Sequence, residues 1–305
     1  MSDRQAVDKL ITAPFTGTPV METVSSLHGL RTIIERWKRS GYSIALVPTM
    51  GNLHDGHISL LNHARDCADR TVMSIFVNPI QFGKGEDYER YPSTLADDKN
   101  KLEKYGLDLL FTPNLDQLYP GGTDIDTRIN VPGLSDILCG EARPNHFSGV
   151  ATVVAKLLSN VQPDFAFFGE KDYQQVLVIK RMARDLCLPF EIIGLPIVRE
   201  PDGLAMSSRN AYLSPDERRR APEIYKTLKA AAESLRQGNK SMDEIETEAL
   251  GRLQEAGLRP EYVSIRRTED LQRPAPEDTR LSILAAAWLG SARLIDNLKV
   301  RVKPT

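Results

Sequence analysis

Cysteine is scarce: Cys67, Cys139 and Cys187 are all that 305 residues contain. They are odd in number, far apart and in no CxxC arrangement, which excludes a disulfide framework and suits a reducing cytosol. Long apolar runs are missing too, and nothing approaches the ~20 residues that cross a bilayer. Nor is there a surplus of either charge, since 39 basic and 41 acidic side chains leave a formal net charge of −2. A dedicated nucleic-acid binder carries a basic excess to neutralise phosphates, so that class is set aside, and membrane attachment with it. Internal repeats and low-complexity tracts are absent. The first twenty residues, MSDRQAVDKLITAPFTGTPV, lack the long apolar stretch of a signal peptide and hold two acidic residues. Residues 1–20 therefore read as a loose extension with no share in the chemistry.

What is present is globular composition, with 41% hydrophobic and 26% charged residues, and chain enough for one large domain or two modest ones. Between Ser43 and Val198 short apolar runs alternate with helical periodicity. SIALV (43–47) predicts a strand, followed by a helix that puts Ile58, Leu61, Ala64 and Ala68 on one face. Further strands are predicted at 71–77, 108–113, 164–168 and 191–198, with helices over 148–160 and 172–186. Such alternation implies right-handed βαβ units, hence a Rossmann-like, doubly wound parallel sheet with helices on both faces. Ligands of such sheets bind beyond the carboxyl ends of the strands, so the loops after Val47, Val77, Phe168 and Val198 are the ones to watch.

After residue 198 the pattern changes. Ser214-Pro-Asp-Glu217 is a capping box with proline at the first helical position; Gln237-Gly238 stops that helix. Ser241-x-x-Glu244 caps another, which Gly257 ends. EYVSIRR, LSILAAAW and ARLID follow as strands with no helix between them, predicting a smaller α+β C-terminal domain with an antiparallel sheet. The expected division is 21–197 and 198–305, with REPDGLA as the joint.

Four loops carry candidate chemistry. In VPTMGNLHDGHISLLNHA, His54 and His57 flank Gly56 at the mouth of a helix that Asp55 could cap. A helix N-terminus offers free N–H groups and a partial positive charge, hence a phosphate site. The two imidazoles would then donate to phosphate oxygens whose charge shifts when ATP is attacked at its α-phosphorus. A zinc clip is the other reading of His-x-x-His; His63 is in reach, but no Cys or Glu stands at zinc-like spacing. Solvated loop histidines are the third. In SIFVNPIQFGKGEDYERYPST, Asn78 and Gln81 are uncharged groups able to bind a hydroxyl or carboxylate, or simply solvated loop polars. FFGEKDYQQVLV places Gly169 before Glu170, Lys171 and Asp172, with Lys171 as a point charge for phosphate and Gln174 or Gln175 free to face a cleft. The alternative there is a charged helix start. GLAMSSRNAYLS supplies hydroxyls, N–H groups and a guanidinium, all donors suited to a polyphosphate, or else a mobile surface loop. Arg143 and His146 in GEARPNHFSG are weaker candidates. Three of these loops fall at strand carboxyl ends and the fourth on the joint, so one sheet would bring all four together.

These stretches, with RPNHFSGVATVVAKLLSNVQPDFAFFGEKDYQQ and the late AAAWLGSARLIDN, closely resemble the pantothenate synthetase (pantoate–β-alanine ligase) family, in order, from about Met21 to Val300. That family lies in the nucleotidylyl-transferase superfamily, marked by a HxGH motif, here HDGH, and a KMSKS-type loop, whose place MSSR (206–209) takes. The resemblance implies condensation of (R)-pantoate with β-alanine through a pantoyl adenylate, using Mg-ATP and releasing pyrophosphate and AMP. It implies an ATP site of Met50, Gly51, Asn52, Leu53, His54, Asp55, Gly56 and His57, with Gly169, Glu170, Lys171, Asp172, Val198, Met206, Ser207, Ser208 and Arg209. His57, the family's assigned proton donor, would act with His54, Lys171 and Arg209 on the phosphates; Gln81 and Gln175 would hold pantoate, with β-alanine beside Gln81. A cytoplasmic homodimer is implied as well, with Mg2+ borne by ATP rather than by a protein-bound metal site. Asn145, where the family usually has glycine, and Ser148, in place of a charged residue, are departures that bear on Arg143 and His146. Two other functions share parts of this pattern. One is a tRNA-charging relative, opposed by the charge balance and the lack of an anticodon-binding module; the other is a nucleotide sensor without turnover.

Overall fold

Alternation along the first buried strand decides the layers. Ile44 and Leu46 belong to one side of a sheet, Ala45 and Val47 to the other, and all four are fully buried. A computed structural model describes residues 21–303 except 84 and 93, so the extension expected over 1–20 lies outside the described residues. In chain order it contains β1 (Glu22–Val24), α1 (Leu27–Arg39), β2 (Ile44–Thr49), α2 (Asp55–Cys67), β3 (Arg70–Ile75), α3 (Leu95–Lys104) and β4 (Leu109–Phe111). Then come the short α4 (Leu115–Leu118) and α5 (Cys139–Ala142), followed by α6 (His146–Val161), β5 (Phe165–Gly169), α7 (Tyr173–Asp185) and β6 (Glu191–Leu195).

The six strands form one parallel sheet in the order β1-β4-β3-β2-β5-β6. Helices α1, α6 and α7 cover one face, and α2 and α3 the other. From β2 the chain winds outward to β3 and β4, then crosses back to β5 and β6 on the opposite side. The winding therefore reverses between β2 and β5, the switch point where such sheets open a crevice at their carboxyl ends. This is the doubly wound α/β sheet read from the sequence, extended upstream by β1 and α1. Several ends differ from expectation by one to three residues, and two of the differences have a local cause. The strand predicted to reach Val198 stops at Leu195 because Pro196 has no N–H for the ladder. The helix predicted from 172 opens with a 3-10 turn, Glu170–Asp172, before α7.

The second layer of structure follows as α8 (Pro215–Arg220), α9 (Glu223–Gln237) and α10 (Met242–Glu255), then β7 (Arg259–Arg267), β8 (Arg280–Leu289) and β9 (Ala292–Arg301). Both predicted capping boxes form, Glu217 accepting from the Ser214 N–H at 2.8 Å and Glu244 from Ser241 at 2.7 Å. The single helix expected between Ser214 and Gln237 is two, since Pro222 interrupts it, and Gly238 ends the second at φ +68°. β7-β8-β9 make an antiparallel sheet whose core of Leu228, Ile245, Leu253, Val263, Ile265 and Ile283 is distinct from that of the parallel sheet.

Candidate active site

At the carboxyl end of β2 the chain enters residues 50–57. The sequence predicts Asp55 as the cap of α2, but His54 takes that place, one residue earlier. Its Nδ1, which stands where an aspartate oxygen would, accepts the Gly56 N–H at 3.2 Å, while His57 Nδ1 accepts the His54 N–H at 3.3 Å. The pair is a capping box built from imidazoles. A ring nitrogen that accepts carries no proton, so each neutral ring keeps its proton on Nε2, free to donate to the cleft that both rings line. Burial first, then the His57, Lys171 and Lys101 charges, pushes the His54 pKa down to about 2. Burial, with Lys171 and Lys101, takes His57 down to about 4. Both rings are therefore neutral donors near pH 7.

Most of the backbone donors around this helix start are committed within the protein. Gly51 donates to Thr49 Oγ1, Asn52 and Leu53 each donate to the buried Asp98 carboxylate at 2.8 Å, and His57 N–H goes to the His54 carbonyl. Lys101, one turn along α3, grips the Leu53 carbonyl. Gly56 leaves room for the His54 ring: a Cβ there would lie 2.9 Å from it.

After β3 the 3-10 turn Pro79–Gln81 brings Gln81 into the cleft. His146 Nδ1 donates to the Gln81 carbonyl at 2.7 Å, Arg143 donates to the same oxygen, and Glu86 clamps Arg143 through both carboxylate oxygens. Arg143 and His146, the weaker candidates, are thus braces for Gln81. Burial and Arg143 push the His146 pKa down to about 4, so it too is neutral. Asn145 adopts φ +67°, the left-handed conformation that glycine takes freely and asparagine tolerates best among other residues. That is why asparagine serves where the resemblance expects glycine. Ser148 lies buried in the first turn of α6.

From β5, Gly169, Lys171 and Asp172 line the other wall, with Lys171 Nζ 3.8 Å from Asp172. Of the two glutamines in the first turn of α7, Gln175 faces the cleft. Gln174 is buried and engages the Leu134 and Ile137 carbonyls and the Cys139 N–H. The loop beyond β6 closes the space. Val198, Met206, Ser207, Ser208 and Arg209 all line it; Val198 C=O accepts from Met206 N–H, and Ser208 Oγ donates to the Asn52 carbonyl. Arg209 holds Asp87 through two bonds of 2.9 Å. The resulting cleft measures about 310 Å³. Among the described residues no group of three His, Cys, Asp or Glu is arranged for a metal ion.

A family model described as pantoate-beta-alanine ligase matches residues 22–299, nearly the whole described chain. The chain belongs to the pantoate-beta-alanine ligase family. It is 53% identical over 285 residues to the pantothenate synthetase of Thioalkalivibrio sulfidiphilus, covering 93% of this chain and all of that one. The pantothenate synthetase of Pseudomonas aeruginosa is 52% identical over 282 residues, covering 92% and 100% of the two chains. Among solved structures, the pantothenate synthetase of Thermus thermophilus superposes with a TM-score of 0.85 at 45% identity, covering 91% of this chain and 99% of that one. The Francisella tularensis ligase, described as complexed with Beta-gamma ATP and Beta-alanine, gives a TM-score of 0.78 at 34% identity over 92% and 97%. These matches favour neither the tRNA-charging nor the sensor reading.

Within this pantoate-beta-alanine ligase, most residues of the ATP and substrate sites that the resemblance implied meet in one cleft, but five of them do not line it. Gly51, Asn52 and Leu53 are turned to Asp98, Asp55 is exposed, and Glu170 pairs with Lys299 at 2.6 Å behind the wall. Sequence reasoning missed Asp98, Lys101, Asp87 and Asn297. Asn297, from β9, donates to the Glu170 and Lys171 carbonyls and so fixes the lysine's turn. No local signal marks these four, because each acts on a loop far from it along the chain.

Proposed function

We propose that the cleft joins pantoate to β-alanine at the expense of ATP in two steps. A pantoate carboxylate oxygen attacks the α-phosphorus, forming an acyl–phosphate bond as the bond to pyrophosphate breaks. The β-alanine amine then attacks the acyl carbon, an amide forms, AMP leaves, and the amine gives up a proton. Neither step needs a protein nucleophile; both need charge stabilisation and positioning. What supports the reading is one arrangement: two neutral histidines and Lys171 beside the 206–209 loop, facing the uncharged amides of Gln81 and Gln175 across the same cleft.

In this reading His54 and His57 donate through Nε2–H to the phosphates, Lys171 supplies a point charge, and Arg209 with Ser207 and Ser208 covers the polyphosphate. Met50, Gly56, Gly169, Asp172 and Val198 form the nucleotide walls, while Gln81 and Gln175 hold pantoate and β-alanine enters beside Gln81. His57 serves as a hydrogen-bond donor and not as an ionised acid. Mg2+ comes as part of the ATP complex. The enzyme works in the cytoplasm as a homodimer, its two sheets forming separate bodies that divide near residue 198. The test is AMP release with each substrate omitted in turn. AMP release should need both pantoate and β-alanine, and pyrophosphate exchange pantoate alone; exchange that required β-alanine would overturn the order of attack.

A further inference from the structure

Gln81 could meet its ligand with either end of its amide, and which end it offers decides what it recognises. The answer lies beneath the cleft. Asn78, buried at 1% exposure, has its Nδ2 3.1 Å from the Gly149 carbonyl and 3.1 Å from Gln81 Oε1. A backbone carbonyl only accepts, so the atom facing Gly149 is the Asn78 amino group. The same amino group faces Gln81, which must therefore turn its oxygen inward. Gln81 Nε2 is left against Met50 Sδ at 3.0 Å, a weak acceptor on the cleft wall. Asn78 Oδ1 in turn accepts from the Tyr119 hydroxyl at 2.9 Å.

Three features hold this chain of bonds in place. Gly149 lets α6 press against the 3-10 turn, since a Cβ there would lie 2.5 Å from the Ile80 carbonyl oxygen. Tyr119 is 1% exposed, and the Lys156 ammonium sits 4.2 Å over its ring, itself paired with Asp126. Burial, then Asp126, pushes the phenol pKa above its usual value, so the hydroxyl keeps the proton it donates.

We infer that Tyr119, acting through Asn78, is a positioning residue that locks Gln81 with its amino group toward the cleft, so that Gln81 selects an acceptor on pantoate, a carboxylate or hydroxyl oxygen. The inference rests on the proposal that Gln81 holds pantoate. A buried polar chain of this kind specifies one arrangement: turning Asn78 over would set its oxygen against the Gly149 carbonyl, and turning Gln81 alone would set amino group against amino group.

The experiment is steady-state kinetics on the full-length enzyme with Gln81→Ala, Tyr119→Phe and the double variant. Gln81→Ala should raise the KM for pantoate; an unchanged value removes Gln81 from the pantoate site and this inference with it. Given that rise, Tyr119→Phe should raise the pantoate KM by roughly five- to tenfold, with kcat and the ATP KM within about twofold, and should add nothing in the Gln81→Ala background. A merely structural tyrosine would lower the melting temperature and shift both KM values alike in either background, and that result overturns the inference while leaving the pantoate reading intact. Should Tyr119→Phe fail to fold, Asn78→Asp assayed at alkaline pH keeps the shape and removes the donor to Gln81. It should raise the pantoate KM selectively, and an unchanged pantoate KM would overturn the inference.

Discussion

A histidine that accepts a backbone hydrogen bond on Nδ1 keeps Nε2–H for chemistry, and His54 and His57 are both divided in this way. The two roles of His57 can be separated by substitution. Asparagine places an oxygen near the Nδ1 position and keeps the cap, whereas glutamine reaches toward Nε2 with an amino group. His57→Asn should fold with a melting temperature close to the parent's and lose about a hundredfold or more in pantoate-dependent pyrophosphate exchange. His57→Gln, whose amide can reach back to the His54 N–H or out toward the Nε2 position but not both, should fall between His57→Asn and the parent in rate. Lys171→Ala should resemble His57→Asn in both readouts. Equal rates in His57→Asn and the parent would assign His57 to the cap alone. The HDGH spacing was legible in the sequence because it is local. The assignment of the cap to His54 was not, since aspartate is the commoner choice and only the folded turn shows which side chain reaches back.

At the scale of elements, α3 is the support for the loop between β2 and α2. Asp98 accepts the N–H groups of Asn52 and Leu53 and the Thr94 hydroxyl, and is 3% exposed. Nothing in the charged stretch LADDKNKLEK distinguishes this aspartate from its neighbour Asp97. Asp98→Ala leaves two backbone N–H groups without a partner, each costing ~1–3 kcal/mol, and takes the Thr94 hydroxyl's acceptor as well. Urea unfolding should show a loss on the order of 3 kcal/mol, and hydrogen exchange should rise over residues 50–57 ahead of the rest of the sheet. A loss below about 0.5 kcal/mol would mean the loop is held from elsewhere. The βαβ alternation, by contrast, was readable from β2 to β6, because strands buried on both faces are apolar runs bounded by proline and glycine.

Over the whole molecule, the second sheet does more than follow the first. Its strand β9 fixes the backbone around Lys171 through Asn297. A bidentate pair joins Arg199 to the fully buried Asp296, and the Arg209–Asp87 pair ties the 206–209 loop to the loop after β3. The 203–214 loop is thus held at Gly203 by Arg199 and at Arg209 by Asp87. Acid should undo this assembly in a defined window. His54, His57 and His146 are held neutral by burial, with pKa values of about 2, 4 and 4, while unfolded histidine titrates near 6.5. Below pH 6.5 the unfolded chain binds protons that the folded one refuses, so stability is complete above 6.5 and declines as pH falls toward 4. Melting temperature should drop across that window, and His146→Gln should flatten the slope. A profile level from pH 6.5 to 4.5 would contradict the burial of these rings.

The sequence by itself determined the parallel sheet, the antiparallel one after it, the capping boxes at Ser214 and Ser241, and the loops in which the chemistry had to lie. All of these follow from short-range periodicity and from residues that act within a turn of themselves. Only the tertiary structure decided which partners hold those loops: Asp98 under residues 52 and 53, Tyr119 and Asn78 under Gln81, Asn297 behind Lys171. These bonds join segments between 41 and 127 residues apart or lie at the end of such a contact. A buried donor takes whichever acceptor the packing brings to it, and packing is a property of the whole chain.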